Sequence, residues 1–575
     1  MSPSPTGVVP FGDRALLVPT TDVAAAHGLA AQLDREVAAG RAPAAVEEVV
    51  VGFASVLVVL DAGVEADEVG ACADWVVDAA VTAAAGRGRV PASGRTGSTH
   101  VLPVVFDGAD LAEVAEVLGR SVDDVVRLLV AADLDVAFVG FAPGFPYLTG
   151  LPPELASLPR RSTPRTSVPA GSVAVAAGFA SVYPRSTPGG WQLLGRTTVS
   201  LFDPDVPPHS RVAPGDRVRF VPAGAEPPAP AAAGPTNAVL PDTVPRAEAR
   251  RAPLEADGPH LAVLRPGLAT SVQDGGRVGC AHLGVPAGGA ADRRALVLAN
   301  LLVGNPPGAA ALECTASGPA LAVVGDGHLT VVGAGAGAVD VTVDGRAVAD
   351  ATVVPVADGQ VVAVGRVRTG LRAYLAVAGG LATPVLFGSR SSDSLSGLGP
   401  GTVQEGDRLA RGVPGRVRGR LDPPPGPTAG GRSDPGTAVL RVVAGPHGSP
   451  GDGLVGPRWT VGPEADRIGA RLDATDGSQL SGGGPRASTP MLTGAVQVPP
   501  DGRPVVLLPD HATVGGYPVV ACVVTADLPV LGQLAPGDAV RFVEVDLATA
   551  AALRVEAERV TAARVSGWYP SVTGP

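Results

Sequence analysis

Two stretches of this chain spell the same words in the same order. The first runs Val168-Pro-Ala-Gly171, Thr187-Pro-Gly-Gly-Trp191 and Ala213-Pro-Gly-Asp216, and ends Val218-Arg-Phe220. The second runs Val498-Pro-Pro-Asp-Gly502, Thr513-Val-Gly-Gly-Tyr517 and Ala535-Pro-Gly-Asp538, and ends Val540-Arg-Phe542. A weaker third copy carries Ala378-Gly-Gly380 and then Glu405-Gly-Asp407. Matching words at similar spacing mean one β-module used more than once, and a few copies suit small closed barrels rather than a solenoid. The repeat predicts one strand order for both copies, with Gly189/Gly190 and Gly515/Gly516 at equivalent turns and Trp191 and Tyr517 in corresponding places. The 77 glycines, 58 prolines and 3% aromatic content agree with many short strands and tight turns.

Before the first copy the pattern alternates. Gly12–Val18 reads as a strand and Asp22–Ala39 as a helix stopped by Gly40. Val46–Val51 and Ser55–Leu60 read as a hairpin, and Ala66–Ala85 as a second helix. A β-α-β-β-α-β order is the ferredoxin-like arrangement, with Val101–Val105 either closing that sheet or opening the next domain. The fold class expected is mainly β with α+β: several β-barrel modules preceded by a small ferredoxin-like α/β domain. The expected division is 1–95 for the small domain, 96–223 for a first barrel and 224–259 for a Pro/Ala linker. It continues with 260–422 for a second barrel module, 423–437 for a Pro/Gly linker, 438–548 for a third barrel module and 549–575 for a C-terminal helix and tail.

A net charge of −11 argues against broad nucleic-acid or anionic-membrane binding. No apolar run is long enough to span a bilayer and the first ten residues do not read as a signal peptide, so the cytoplasm is the expected place. Cys72, Cys280, Cys314 and Cys522 are scattered and read as free thiols. All 44 basic side chains are arginine. Without lysine there is no Walker A lysine, no Schiff base and no covalent biotin on this chain, and bound anions must be met by Arg, backbone N–H groups or a metal.

Two segments concentrate chemistry. In Val139–Tyr147, Gly140 and Gly144 would let backbone approach a ligand beside Phe141 and Phe145, with Arg160, Arg161, Arg165 and Arg185 following as anion partners. The other reading is a packed β-turn corner with a solvated basic face. Gln273, Asp274 and Arg277, then Asp292, Asn300, Asn305 and Glu313, suit orientation of a small polar substrate and acid–base work, or else turn capping. His100, His282 and His511 each read as structural or solvated. Gly333-Ala-Gly-Ala-Gly337 lacks the spacing and the following helix of a dinucleotide site and reads as a strand connection.

These words, in this order, resemble the allophanate hydrolase subunit 1/subunit 2 family, also known as the B and C subunits of 5-oxoprolinase. Val139–Gly150 (VGFAPGFPYLTG), Pro159–Arg165, Tyr183–Thr197 and Pro214–Phe220 resemble the B subunit. Arg265–Gly279, Leu283–Asp292, Leu312–Thr315, Gly388–Ser392, Asp466–Leu472 and Thr513–Pro518 resemble the C subunit. The resemblance implies cyclophilin-like barrels and ATP-dependent opening of 5-oxoproline to glutamate, with a divalent metal such as magnesium and a separate A subunit of LamB/YcsF type. It implies catalytic roles for Asp274, Asp292 and Arg277, and substrate or ATP contacts from Gly140, Phe141, Gly144, Phe145, Arg160, Arg165, Arg390 and Gln273. Related modules form the carboxyltransferase part of biotin-dependent urea carboxylases, and some relatives regulate histidine kinases. Those two alternatives stand beside the oxoprolinase.

Overall fold

The computed structural model describes residues 7–61, 63–85, 97–161, 163–224, 238–239, 254–335, 337–415, 436–451, 453–482, 484 and 486–566. Most of the expected linkers at 224–259 and 423–437, and the tail from 567, lie outside these residues. Four units each enclose their own buried apolar cluster: one around Leu33 and Val58, one around Leu134 and Phe220, one around Leu312 and Leu375, and one around Trp459 and Phe542.

The first unit is an antiparallel sheet in the order Val9–Pro10, Ala15–Pro19, Ser55–Leu60, Val46–Val51. The helices Val23–Ala38 and Ala66–Ala85 contribute Ala26, Leu33, Cys72 and Val76 to the core on one of its faces. Asp22 caps the first helix, accepting the Ala25 N–H at 2.8 Å. The strand left open by the sequence, observed as Thr99–Val104, opens the next barrel, and the short Val9–Pro10 strand takes the sheet edge a closing strand would have occupied. Ser55–Leu60 is buried along its whole length. Because side chains alternate across a sheet, Val56, Val58 and Leu60 meet the helices. Leu57 and Val59 join Val443, Met491, Leu507 and Val519 of the last barrel. The small domain is therefore apolar on both faces and bonded to the far end of the chain.

The repeat is a repeat of topology. In chain order, the seven strands of the first copy are Thr99–Val104, Leu134–Val139, Pro146–Thr149, Ser172–Ala176, Phe179–Val182, Gln192–Arg196 and Arg217–Pro222. Those of the second are Thr437–Ala444, Trp459–Val461, Gly469–Ala474, Ala495–Gln497, Val505–Leu507, Val519–Val523 and Ala539–Glu544. Both pair in the order sixth, fourth, fifth, third, second, seventh, first. In both, the seventh runs parallel to the first. The second copy closes fully through pairing of its first and sixth strands, whereas the first copy has a single bridge there, Val105 to Arg196. The double-glycine turns match as well: Thr187–Gly189 pairs with Arg165–Val168, and Val514–Gly515 pairs with Thr489–Pro490, each as a two-stranded flap. Trp191 and Tyr517 lie between that flap and the sixth strand.

The third copy is corrected by the structure. Its turn recurs, since Asp407 accepts the Gln404 N–H at 2.8 Å just as Asp216 accepts Ala213 at 3.0 Å and Asp538 accepts Ala535 at 2.9 Å. The surrounding module does not. Residues 260–410 form a six-stranded and a five-stranded sheet, and the last strand, Arg408–Ala410, runs antiparallel to the first, His260–Arg265. A three-residue turn word reports local backbone chemistry, not strand order. All four cysteines are free, three of them buried and Cys280 half-buried.

The shared turn carries unequal duties. Asp216 also accepts from the Ser98 N–H at 2.9 Å and from His100 Nε2 at 2.9 Å, so its removal orphans more buried donors. Asp216→Ala should cost about 2–3 kcal/mol and Asp538→Ala about 1 kcal/mol. Urea denaturation of the two variants checks this, and equal losses would contradict it.

Candidate active site

A cavity of about 920 Å³ opens where the small domain, the 260–410 module, the last barrel and the C-terminal helix Leu547–Ser566 meet. Backbone donors beside it join segments that are far apart in the chain. Phe141 N–H donates to Thr513 Oγ1 at 3.1 Å, Gly144 N–H to the Leu283 carbonyl at 2.9 Å, and Ala281 N–H to Glu48 Oε1 at 2.8 Å. Thr525 donates from both N–H and Oγ1 to Asp13 Oδ1, at 3.1 and 2.8 Å, while Arg554 approaches the other oxygen at 3.5 Å. Phe141 holds a φ of +67°, a left-handed backbone that is uncommon outside glycine.

Asp274 and Arg277 lie on one wall of the cavity. Asp274 is saturated: Ser389 Oγ, Ser391 Oγ and the Arg390 N–H each donate to it at 2.6 Å, and the Gly276 N–H at 2.9 Å. It anchors the 389–394 loop. Arg390 takes part through its backbone, and Gln273 is fully buried behind, its amide donating to Ser271 Oγ and the Ser392 carbonyl. Arg277 differs. It is 1% exposed, one nitrogen donates to the Ser391 carbonyl, and its Nε and Nη1 have no hydrogen-bond partner among the described residues. Burial pushes its affinity for protons down, but a guanidinium stays charged inside proteins.

Behind that wall runs a chain of buried charge. Arg467 grips Asp510 with two bonds of 3.0 and 2.8 Å, Glu313 at 2.5 Å and the Gly289 carbonyl at 2.6 Å. Glu313 accepts also from Tyr374 at 2.7 Å and from the Ala291 N–H at 2.9 Å. Burial would push its carboxyl up, yet Arg467 and Arg372 outweigh that and hold it below its ordinary range. Asp292 sits at the far end as the cap of the Arg293–Leu302 helix, accepting from Ala295 N–H at 2.9 Å and from Gln533 at 2.8 Å. It does not line the cavity. Asn300 and Asn305 bond each other at 3.0 Å and support that helix's exit.

The aromatic segment packs as a corner. Phe145 lies 5.1 Å from Tyr183 and 5.4 Å from Trp191, and Tyr147 stacks on Phe138 at 4.2 Å. Gly140 faces Val514, and Gly284 lies so close to the Ala142 carbonyl that a Cβ would collide with it, so the glycines serve the seam between the halves. Arg161 and Arg165 both bind buried Asp110, at 2.8 and 2.6 Å. Arg185 donates to the Ser396 carbonyl across the seam, and Arg160 lies over Gly516. His100 pairs with Asp216. His511 lines the cavity, and burial pushes its imidazole below the ordinary histidine value. His282 is bonded to the Gly279 carbonyl at 3.1 Å.

Sequence reasoning missed Asp393 and Asp510. Asp393 follows the Gly388–Ser392 word directly, and Asp510 precedes His511, but only folding brings them together with Arg277. Asp393 accepts the Ser396 N–H at 2.5 Å through one oxygen, and its other oxygen, Oδ2, is buried without a partner among the described residues. Burial and the Asp510 charge push its carboxyl up to about 7, against the opposing pull of Arg277.

Residues 6–212 match the family model described as carboxyltransferase domain, subdomain C and D, and residues 283–544 the one described as carboxyltransferase domain, subdomain A and B. The chain is 35% identical over 313 residues to the C subunit of 5-oxoprolinase from Escherichia coli K12, covering 96% of that protein and 52% of this one. It belongs to the allophanate hydrolase subunit family, as a fusion of B-type and C-type halves. The B half is 52% identical over 124 residues to the B subunit of 5-oxoprolinase from Escherichia coli O157:H7, an alignment spanning 56% of that protein and 21% of this chain. The crystal structure of TTHA0988 aligns with both halves at once, at 32% identity and a TM-score of 0.76, covering 99% of its own length and 92% of this chain. The cavity thus lies where the B half and the C half dock.

Asp393 supplies a pH test. Folded, it keeps its proton to about 7; unfolded, it releases it near 4. The folded state therefore binds more protons between those values, and stability falls as pH rises from about 4 to about 7, by up to ~1.4 kcal/mol per pH unit. The charged groups facing it are Asp510 and Arg277. Urea melts across that range should show the slope, and Asp393→Asn should flatten it.

Proposed function

We propose that this chain is the combined B and C component of a 5-oxoprolinase, opening 5-oxoproline to glutamate at the expense of ATP together with a separate A subunit of LamB/YcsF type. What supports the reading is that halves similar to the B and C subunits are joined in one chain and meet around a cavity lined by Arg277, two of whose guanidinium nitrogens have no hydrogen-bond partner among the described residues. A lactam resists water because its amide is resonance-stabilised. Transfer of the γ-phosphoryl group to the amide oxygen, with ADP leaving, makes the carbon electrophilic. Water adds there, the amine departs to leave an acyl phosphate, and a second water releases glutamate and phosphate. Arg277 suits the oxygen on which negative charge gathers, since a fixed cation in a water-poor wall stabilises developing charge strongly. The described residues hold no group of three or more His, Cys, Asp or Glu side chains spaced for a metal. A magnesium ion would come with the nucleotide, held by its phosphates.

The carboxyltransferase description of the matched family models favours a second reading, transfer of a carboxyl group from a biotin carrier on another chain to urea or a similar amide. One assay separates the two. The purified chain mixed with its cognate LamB/YcsF-type partner should release glutamate and ADP in equal amounts from 5-oxoproline, and Arg277→Met should lower kcat/KM by about 100-fold or more. Absence of glutamate under every metal condition, with carboxyl transfer from a carboxybiotinylated carrier, would establish the second reading instead.

A further inference from the structure

One loop of the C half is held at both ends by the B half. At its leading end, Leu386 and Ser389 exchange backbone hydrogen bonds of 2.8 and 3.2 Å around Phe387 and Gly388, whose φ values are +53° and +76°. Two left-handed residues in a row make the type I′ turn of a tight hairpin, where Asn-Gly is a favoured pair. A bulky side chain at the first of those places is an outlier, and it persists only where the surrounding structure requires it. Here the requirement is visible. The Phe387 ring lies 6.0 Å from Phe202, with 30° between the ring planes, and 4.7 Å from His209, both on the 202–210 loop of the first barrel. At the trailing end, the Ser396 carbonyl accepts from the Arg185 guanidinium, again from the first barrel.

Between its two ends the loop backs the cavity wall. Ser389 Oγ, the Arg390 N–H and Ser391 Oγ each donate to Asp274 at 2.6 Å, and Ser391 Oγ accepts the Asp274 N–H at 2.9 Å. The Ser391 carbonyl takes the Arg277 guanidinium. Ser394 donates from both N–H and Oγ to Asp510 at 2.8 Å. Asp274 and Arg277 line the cavity, and the loop stands behind them. Phe202, His209 and Phe387 belong to none of the four cores, so their contact joins two folded units and is not what folds either. We infer that Phe202, His209 and Arg185 of the B half are positioning residues: by gripping the ends of loop 386–397, they set where its middle holds Asp274 and Arg277. None of the three lines the cavity. The B half thus acts on the cavity through a loop of the C half, besides contributing residues of the small domain to its lining. A displacement of about 1 Å, transmitted from a distant residue, can cost about 100-fold in rate.

Hydrogen exchange on the full chain, followed by mass spectrometry, reads the grip without any ligand. The amides of Asp274, Gly276 and Arg390 are bonded through the loop and Asp274, so peptides spanning 273–277 and 389–394 should exchange slowly. In Phe202→Ala, Phe387→Asn and Arg185→Met they should exchange at least about tenfold faster, while Val519–Val523 in the last barrel keeps its wild-type rate. Phe387→Asn suits the turn better than phenylalanine does, so a loss of protection there comes from the missing ring and not from a broken hairpin. Phe387→Tyr keeps the ring and should restore protection. Turnover, which rests on the amide-opening reading above, supplies the second measurement. In the chain assembled with its LamB/YcsF-type partner, the three variants should lower kcat on 5-oxoproline by about 10- to 100-fold with KM little changed. Phe202→Ala combined with Phe387→Asn should cost no more than either alone, because both remove one contact. Unchanged exchange in the three variants, or faster exchange with unchanged kcat, would overturn the positioning role and leave the oxoprolinase standing. Faster exchange in variants of a chain whose wild type releases no glutamate would uphold the grip and sink the oxoprolinase.

Discussion

Everything around the cavity depends on Arg467. One guanidinium, fully committed, reconciles two carboxylates and a carbonyl that would otherwise repel one another in the interior. Its partners come from two units: Asp510 from the last barrel, and Glu313 and the Gly289 carbonyl from the 260–410 module. The guanidinium is the residue of choice here because its fork meets one carboxylate with two parallel bonds and still has donors left over. Removing one partner from such a buried network strands the others, which costs several kcal/mol. The same grip fixes the Asp510 charge next to Asp393, and so helps to push the proton affinity of that buried carboxyl up.

Most of the architecture was legible because it is written in short-range signals. The repeat fixed two barrels through their turns, where Pro and Gly constrain φ and an aspartate caps the bend. The helices declared themselves by apolar period and by caps such as Asp22 and Ser121. The misreading of the third copy has a plain cause. Glu405-Gly-Asp407 makes the same turn as its counterparts, but strand order depends on pairings such as that of Arg408 with Ala262, far away in the sequence. The fate of Thr99–Val104 was likewise undecidable locally, since it depends on pairing with Arg217–Pro222.

The site was legible as composition and not as geometry. Gln273, Asp274, Arg277, Asp292 and Glu313 do gather in one region, as their density suggested. What separates them is whether their bonds are filled. Asp274 and Asp292 are saturated by neighbours, whereas Arg277 and Asp393 are not. Saturation depends on Ser389, Ser391 and Gln533, which lie more than a hundred residues away, and no spacing rule reveals it. The aromatic words Val139–Tyr147 were conspicuous for a different reason. They hold the halves together, and an interface demands unusual residues as insistently as a ligand does.

The two-faced sheet of the small domain bears on why the halves share one chain. Leu57 and Val59 point away from their own helices into the last barrel, so a B half made alone would carry an apolar strip in water until it found a partner. Tethering removes that search. A covalent connection makes the encounter of the two surfaces intramolecular, so docking becomes a step of folding and no longer depends on how much of each half a cell makes. It also fixes the ratio at one to one. An interface relieved of the need to capture its partner from dilute solution is free to be shaped by the cavity it encloses.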